Sequence, residues 1–342
     1  MPKDNENIPF LGPVEPSEPL GFPAEQMIRC EECLRANSPT RVSCLYCVAP
    51  LPLTESSARL RKPVLRQPEK HESGYNNILL PVEGVATEVI NDAAALVKLT
   101  AENVQQLLSQ GVPMPVARTA SRAEAELVTL RLKDLGLQCV TISDEELGSE
   151  TSVKRVRAMS FADERVVIYH SGTEEAEISW SDVSLILTAR LIETRVEIKE
   201  RLTRKQENEI LDTNEFFRDE VVIDFYTTMH SFTWRVGATG FDFSCLGSEK
   251  ALVANENISR LQKVIIAKAV NAQFDDSYPR VRNLLELAWA TQPETQSSGW
   301  RRERPGKLSV GVATTKSNEV QFTRYSRLRY YIANKCFTGL QD

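Results

Sequence analysis

Cys30-Glu31-Glu32-Cys33, a ten-residue spacer, then Cys44-Leu45-Tyr46-Cys47: here residue type and spacing together dictate a chemistry. Two Cys-x-x-Cys turns let four thiolates converge on one ion, and an all-sulfur ligand set suits tetrahedral zinc. Asn37 and Pro39 loosen the spacer, while Pro50 and Pro52 close the unit. A pair of disulfides is the alternative, and it belongs to an oxidising compartment. The opening Met1-Pro2-Lys3-Asp4-Asn5-Glu6-Asn7 lacks the apolar core of a signal peptide, so the expected location is a reducing cytoplasm. The expected cofactor is therefore Zn2+, held by Cys30, Cys33, Cys44 and Cys47 in a saturated site with no open position. Cys139, Cys245 and Cys336 stand alone, and the first two read as small buried hydrophobes.

Length and composition bound what the rest can be. A chain of 342 residues exceeds one ordinary core and suggests two or three domains. Hydrophobic residues at 42% and charged residues at 26% fit a folded, soluble protein. A formal net charge of −6 argues against bulk binding to nucleic acid, although local basic patches remain. No apolar run reaches the ~18 residues that a membrane span requires.

Residues 28–50 resemble a short zinc ribbon, a family whose metal is structural, and the unit spans 27–52. Ahead of it, Pro9, Pro13, Pro16, Pro19 and Pro23 make residues 1–26 a flexible lead-in. Behind it, residues 53–76 read as a basic linker, kept extended by Pro63 and Pro68. Arg59, Arg61, Lys62 and Arg66 are its candidates for contacting phosphates or an acidic partner. A solvated tether is the competing reading.

From Asn77 the texture is strand, helix, helix, strand, helix, strand, ending near residue 145. Thr100 is placed to cap the second helix, and Ser121-Arg122-Ala123-Glu124 reads as a capping box for the third. Residues 77–143 resemble the C-terminal domain of the bacterial ribosomal stalk protein. The resemblance is carried by Leu99-Thr100-Ala101-Glu102, by Ser121 to Glu126 and by Leu135-Gly136. It implies a small α+β fold. The stalk domain binds translation factors through exposed lysines, whereas this chain has Asp92 and Glu102 there with Lys98 isolated, so that role is not expected to carry over.

An acidic break at 144–150 is expected to mark a boundary, and residues 152–290 to form a second α+β module. Short β-rich pieces lead to Val183–Ile198, whose later part alternates apolar and charged residues as a half-buried strand does. Residues 200–209 read as an exposed polar loop or a solvated helix. Seven strand-like pieces followed by an amphipathic helix from Asn255 or Asn257 resemble a pleckstrin-homology-like β-barrel with its C-terminal helix. Residues 291–342 read as a linker plus a hairpin of Leu308–Val312 and Val320–Phe322. The expected fold class is multidomain α+β.

Nothing in the sequence assembles an active site. His71, His170 and His230 lie in separate segments without ligand-spaced companions, and no phosphate loop, nucleophile elbow or zincin motif occurs. Asp275-Asp276-Ser277-Tyr278-Pro279 reads as turn or helix-cap chemistry, with a hard-cation site as the alternative. Trp180, Trp234 and Trp289 read as core. The functional expectation is a non-catalytic adaptor that binds protein partners. The rival is a nucleic-acid- or ribosome-associated factor using the ribbon, the basic linker and Arg301 to Arg304.

Overall fold

The structure, a computed structural model, describes residues 21–69, 72–148, 151–171, 174–202, 208–304 and 307–338. Most of the expected lead-in, and His71, lie outside the described residues. The chain divides into two compact units, Met1–Lys62 and Pro63–Asp342. Among the described residues no helix is long and apolar enough to cross a membrane.

In the first unit, β1 (Ile28–Arg29) pairs with β2 (Ala36–Asn37), and α1 (Glu55–Leu60) follows. That helix lies inside the stretch expected to be an extended linker. Thr54 and Ser57 explain it: Ser57 N donates to Thr54 Oγ1 at 3.2 Å and Thr54 N donates to Ser57 Oγ at 3.0 Å. This reciprocal cap satisfies two donors that a short helix would otherwise leave bare.

The second unit begins with β3 (Tyr75–Leu79), α2 (Thr87–Val97), α3 (Ala101–Ser109), β4 (Met114–Thr119), α4 (Arg122–Asp134) and β5 (Cys139–Ser143). The order is the one expected. β3 is central, with β4 and β5 antiparallel on either side. Thr100 Oγ1 accepts from Asn103 N at 3.2 Å, as expected for a cap. Ser121 makes no capping hydrogen bond. Its expected partner Glu124 is buried and instead accepts from Leu65 N at 2.5 Å. The long-range contact displaces the local one. Asp144, read as the start of an acidic break, is also buried. It accepts from Gly74 N at 2.8 Å and Asn76 Nδ2 at 2.9 Å and pairs with Arg118.

Next come β6 (Lys154–Val156), β7 (Ala158–Phe161), β8 (Arg165–Ser171), β9 (Glu174–Ser179), β10 (Val183–Leu202), β11 (Asn208–Thr227) and β12 (His230–Gly237), then α5 (Ala254–Lys268). β7, β8 and β9 form one sheet. The other is a curled half-barrel in which β10 and β11 pair antiparallel along nearly their whole length. β13 (Gln273–Asp275) runs parallel to β10, and α6 (Tyr278–Leu285) follows. Residues 200–202 and 208–209, at the two ends of the polar stretch expected to be a loop or solvated helix, pair within these two strands, because backbone pairing does not require an apolar face.

The carboxy-terminal part departs furthest from expectation. β14 (Glu294–Arg304) and β15 (Lys307–Ser317) form a hairpin that extends the half-barrel by pairing with the outer half of β10. Residues 294–304, in the part of 291–342 read as a linker, form β14. Val320–Phe322, read as a strand, lie in α7 (Glu319–Thr338). Phe322, Tyr325 and Leu328 are fully buried, at the spacing of one helix face.

Nor does 144–150 separate two cores. A single cluster joins Ile78, Val104, Leu107, Val128 and Leu132 to Leu185, Leu187, Tyr226, Trp289, Phe322 and Tyr325. Trp289 Nε1 donates to Asn76 Oδ1 at 2.8 Å across it. Residues 77–145 therefore share their interior with α6 and α7. Phe322→Ala should cost about 3–5 kcal/mol through lost transfer energy and the cavity left behind. Urea unfolding of the full chain, followed by Trp289-sensitive fluorescence and by circular dichroism, should show one shifted transition. A fluorescence midpoint unchanged by the substitution would contradict the shared core.

Candidate metal centre

Two copies of one local turn build the centre. In the first, Cys30 N donates to Arg35 O at 3.0 Å and Leu34 N donates to Cys30 O at 2.9 Å. In the second, Cys44 N donates to Ala49 O at 2.7 Å and Val48 N donates to Cys44 O at 3.1 Å. The residue after each second cysteine completes the turn in the left-handed region, Leu34 at φ 59° and Val48 at φ 63°. Side chains other than glycine pay for that conformation, heavily when β-branched. Each turn uses it to aim two Sγ atoms at one point, and the second also points the Tyr46 N–H at Cys44 Sγ, 3.4 Å away.

The four sulfurs lie within 4.8 Å of one another. Cys30 Sγ is 3.5 Å from Cys47 Sγ, and Cys33 Sγ is 3.5 Å from Cys44 Sγ. Tetrahedral sulfurs at the usual zinc–thiolate bond length sit about 3.8 Å apart, so the set fits a metal with little adjustment. Cys30 and Cys44 are buried, Cys33 is partly covered and Cys47 is exposed. The ion would sit at the edge of the small cluster of Ile28, Cys30, Cys44 and Leu51.

The surroundings polarise the thiols unequally. Burial alone would raise the Cys44 pKa, but amide donors from Tyr46 and Cys47 and the Asn37 side chain outweigh it and bring it down to about 6. At Cys47 the Ala49 amide pulls downward, yet burial and the sulfurs of Cys30, Cys33 and Cys44 push it up to about 12. Four sulfurs this close cannot all carry charge without a cation among them.

Two contributors escaped the sequence reading. Asn37 donates from Nδ2 to Cys44 Sγ at 3.4 Å and accepts from Leu45 N at 2.8 Å, tying the spacer to the second turn. Its signal was an amide inside the spacer, read there only as a loosening residue. Arg61, proposed as a cation for an outside partner, is buried within the unit. Its Nε donates to Pro39 O at 3.1 Å and Nη2 to Pro52 O at 3.0 Å. A guanidinium fork matches two carbonyls that would otherwise be desolvated.

Among the other candidates, Arg59 and Lys62 are exposed. Arg66 meets Glu72 through two bonds, at 3.0 and 3.1 Å. His170 packs 5.2 Å from the Trp234 ring, and His230 lies by Thr227 and Trp234. Asp275 accepts from Ser277 N at 2.8 Å and Ser277 Oγ at 2.5 Å and pairs with Arg329. These are structural contacts. Trp180 and Trp234 belong to one core and Trp289 to the other.

Asn37→Ala should weaken metal affinity about 10–100-fold, the usual effect of losing a group that orients a ligand. Val48→Gly should bind at least as tightly as the parent, because it removes the left-handed strain. Competition against a chromophoric chelator measures both, and equal affinities for Asn37→Ala and the parent would refute the orienting role. No protein-family model, no curated protein and no solved structure matches the chain.

Proposed function

We propose that the chain is a non-catalytic interaction protein whose first unit is a zinc ribbon with a structural metal. The convergence of Cys30, Cys33, Cys44 and Cys47 carries this reading. Soft thiolates favour zinc over hard cations such as calcium or magnesium. Four of them leave a tetrahedral ion no vacant position for water or substrate, so the metal's work is to hold the two turns together. Free thiols of this kind fit a reducing cytoplasm.

What the ribbon displays supports the interaction role. Leu34, Leu45, Tyr46 and Val48 project from the two turns and are 66%, 61%, 53% and 76% exposed. Arg35 lies 4.7 Å from the Tyr46 ring centre. Apolar side chains gathered on so small a unit mark a contact surface. The seven strands followed by α5 support a pleckstrin-homology-like reading of the later module, a fold often used as a binding platform. The rival nucleic-acid reading loses ground, because Arg61 is occupied inside the ribbon unit and Arg66 is matched by Glu72.

Purified protein should carry about one zinc per chain, and Cys33→Ser should lose it while the second unit keeps its helical signal. Substituting Leu34, Leu45 and Val48 together by Ser should keep the zinc and abolish protein capture by the full-length chain. Binding to generic RNA at physiological salt should be no tighter than about 10⁻⁴ to 10⁻⁶ M. Well under half an equivalent of zinc would refute the metal. Submicromolar RNA binding lost on changing Arg59 and Lys62 to Ser would refute the interaction reading in favour of nucleic acid.

A further inference from the structure

A cavity of about 460 Å³ opens in the second unit where β4, β10, β15 and α7 meet the chain that follows α6. That size suits a small organic molecule. Ala288, Trp289 and Val320 contribute apolar lining, and Arg118 from β4 and Arg324 from α7 both line it.

The two arginines differ in how they are held. Arg118 Nη2 pairs with Asp144, and a methyl group at Gly74 would come within 2.7 Å of Arg118 Nε. Arg324 is partly buried, yet among the described residues it has no hydrogen-bond or ion-pair partner. The arginines that follow it on the same helix are matched. Arg327 donates to Gly148 O and Thr151 O, and Arg329 pairs with Asp275 at 2.8 Å. Burial and the Arg118 charge both disfavour the Arg324 guanidinium charge, and Asp144 offsets them only in part. Five N–H donors drawn out of bulk water without an acceptor destabilise the chain on its own. An anion in the cavity relieves that penalty.

We infer that Arg324, with Arg118 beside it, binds the carboxylate of a small organic molecule in this cavity. Charge selects the class. Two guanidiniums less the Asp144 carboxylate leave one net positive charge, which a single carboxylate cancels. A phosphate monoester carries about −1.5 to −2 at neutral pH. Glu69, Glu193, Glu294 and Glu319 also line the cavity, and none of them pairs with Arg324. Their charge opposes a second negative charge on the ligand. A planar guanidinium fork also matches a carboxylate through two parallel hydrogen bonds. All of these residues belong to the second unit, so the inference is independent of the metal.

Three probes sharing a phenyl ring test it by isothermal titration of the full-length zinc-loaded chain at constant ionic strength: benzoate, benzamide and phenyl phosphate. Benzoate should bind with a Kd of about 1 mM, ordinary for an anchored fragment. Uncharged benzamide should bind about tenfold more weakly or worse, and phenyl phosphate more weakly than benzoate. Arg324→Gln should weaken benzoate binding about tenfold or more. The same variant should melt no lower than the parent, because the charge it removes has no partner. A melting temperature well below the parent would make Arg324 a structural cation and overturn the inference. So would benzoate binding that is absent at about 10 mM, unchanged by Arg324→Gln, equalled by benzamide or exceeded by phenyl phosphate.

Discussion

The second unit depends on one strand pair being buried on both faces. Along β10 and β11, Leu185, Leu187, Ala189, Val222 and Tyr226 enter one core, while Ile186, Ile223 and Phe225 enter the other. A two-residue period sends neighbours to opposite faces, so a hairpin with apolar residues on both faces needs a cover on each side. One cover is α5, through Ile258, Leu261 and Ile265. The other is α6 and α7 together with the layer built on β3, β4 and β5. No half of this arrangement closes its interior alone.

A charge pair sits inside the second cover. Asp224 and Arg235 are buried, joined at 2.6 and 2.8 Å, and Arg235 reaches out to Glu319 and Thr323 on α7. Burial disfavours the guanidinium charge, but Asp224 outweighs burial and holds the pKa above its ordinary range. Such pairs add little net stability, yet removing one partner strands a buried charge. Tyr226 works beside it, donating or accepting toward Ser326 at 2.8 Å and stacking on Tyr330 at 4.3 Å between ring centres. These contacts fix how α7 lies on the sheet more than they strengthen it. The ribbon unit is held differently. Among the described residues its core is the small cluster of Ile28, Cys30, Cys44 and Leu51, beside which the four cysteines converge.

How legible each feature was follows from how local its cause is. The four cysteines were readable because ligand spacing is written within a few residues. The order of elements from Tyr75 to Ser143 was readable because each helix has its own apolar period and stop. Arg61 and Glu124 were misread because their partners, Pro39, Pro52 and Leu65, are near only after folding. The helix α7 was missed although Phe322, Tyr325 and Leu328 follow a helical period. Its aromatic and β-branched residues also favour strands, and the cover it supplies to β10 and β11 is a tertiary demand. The far ends of β10 and β11, at 200–202 and 208–209, were not legible as strand because their sequence is almost wholly polar; backbone pairing extends the two strands through them.

Four thiolates around one tetrahedral ion leave it no open position. Zinc-edge X-ray absorption on the purified full-length protein addresses it directly. The expected spectrum is four sulfur scatterers at about 2.3 Å with no nitrogen or oxygen in the inner shell. A mixed shell containing imidazole or water, or a protein that holds no zinc, would contradict it.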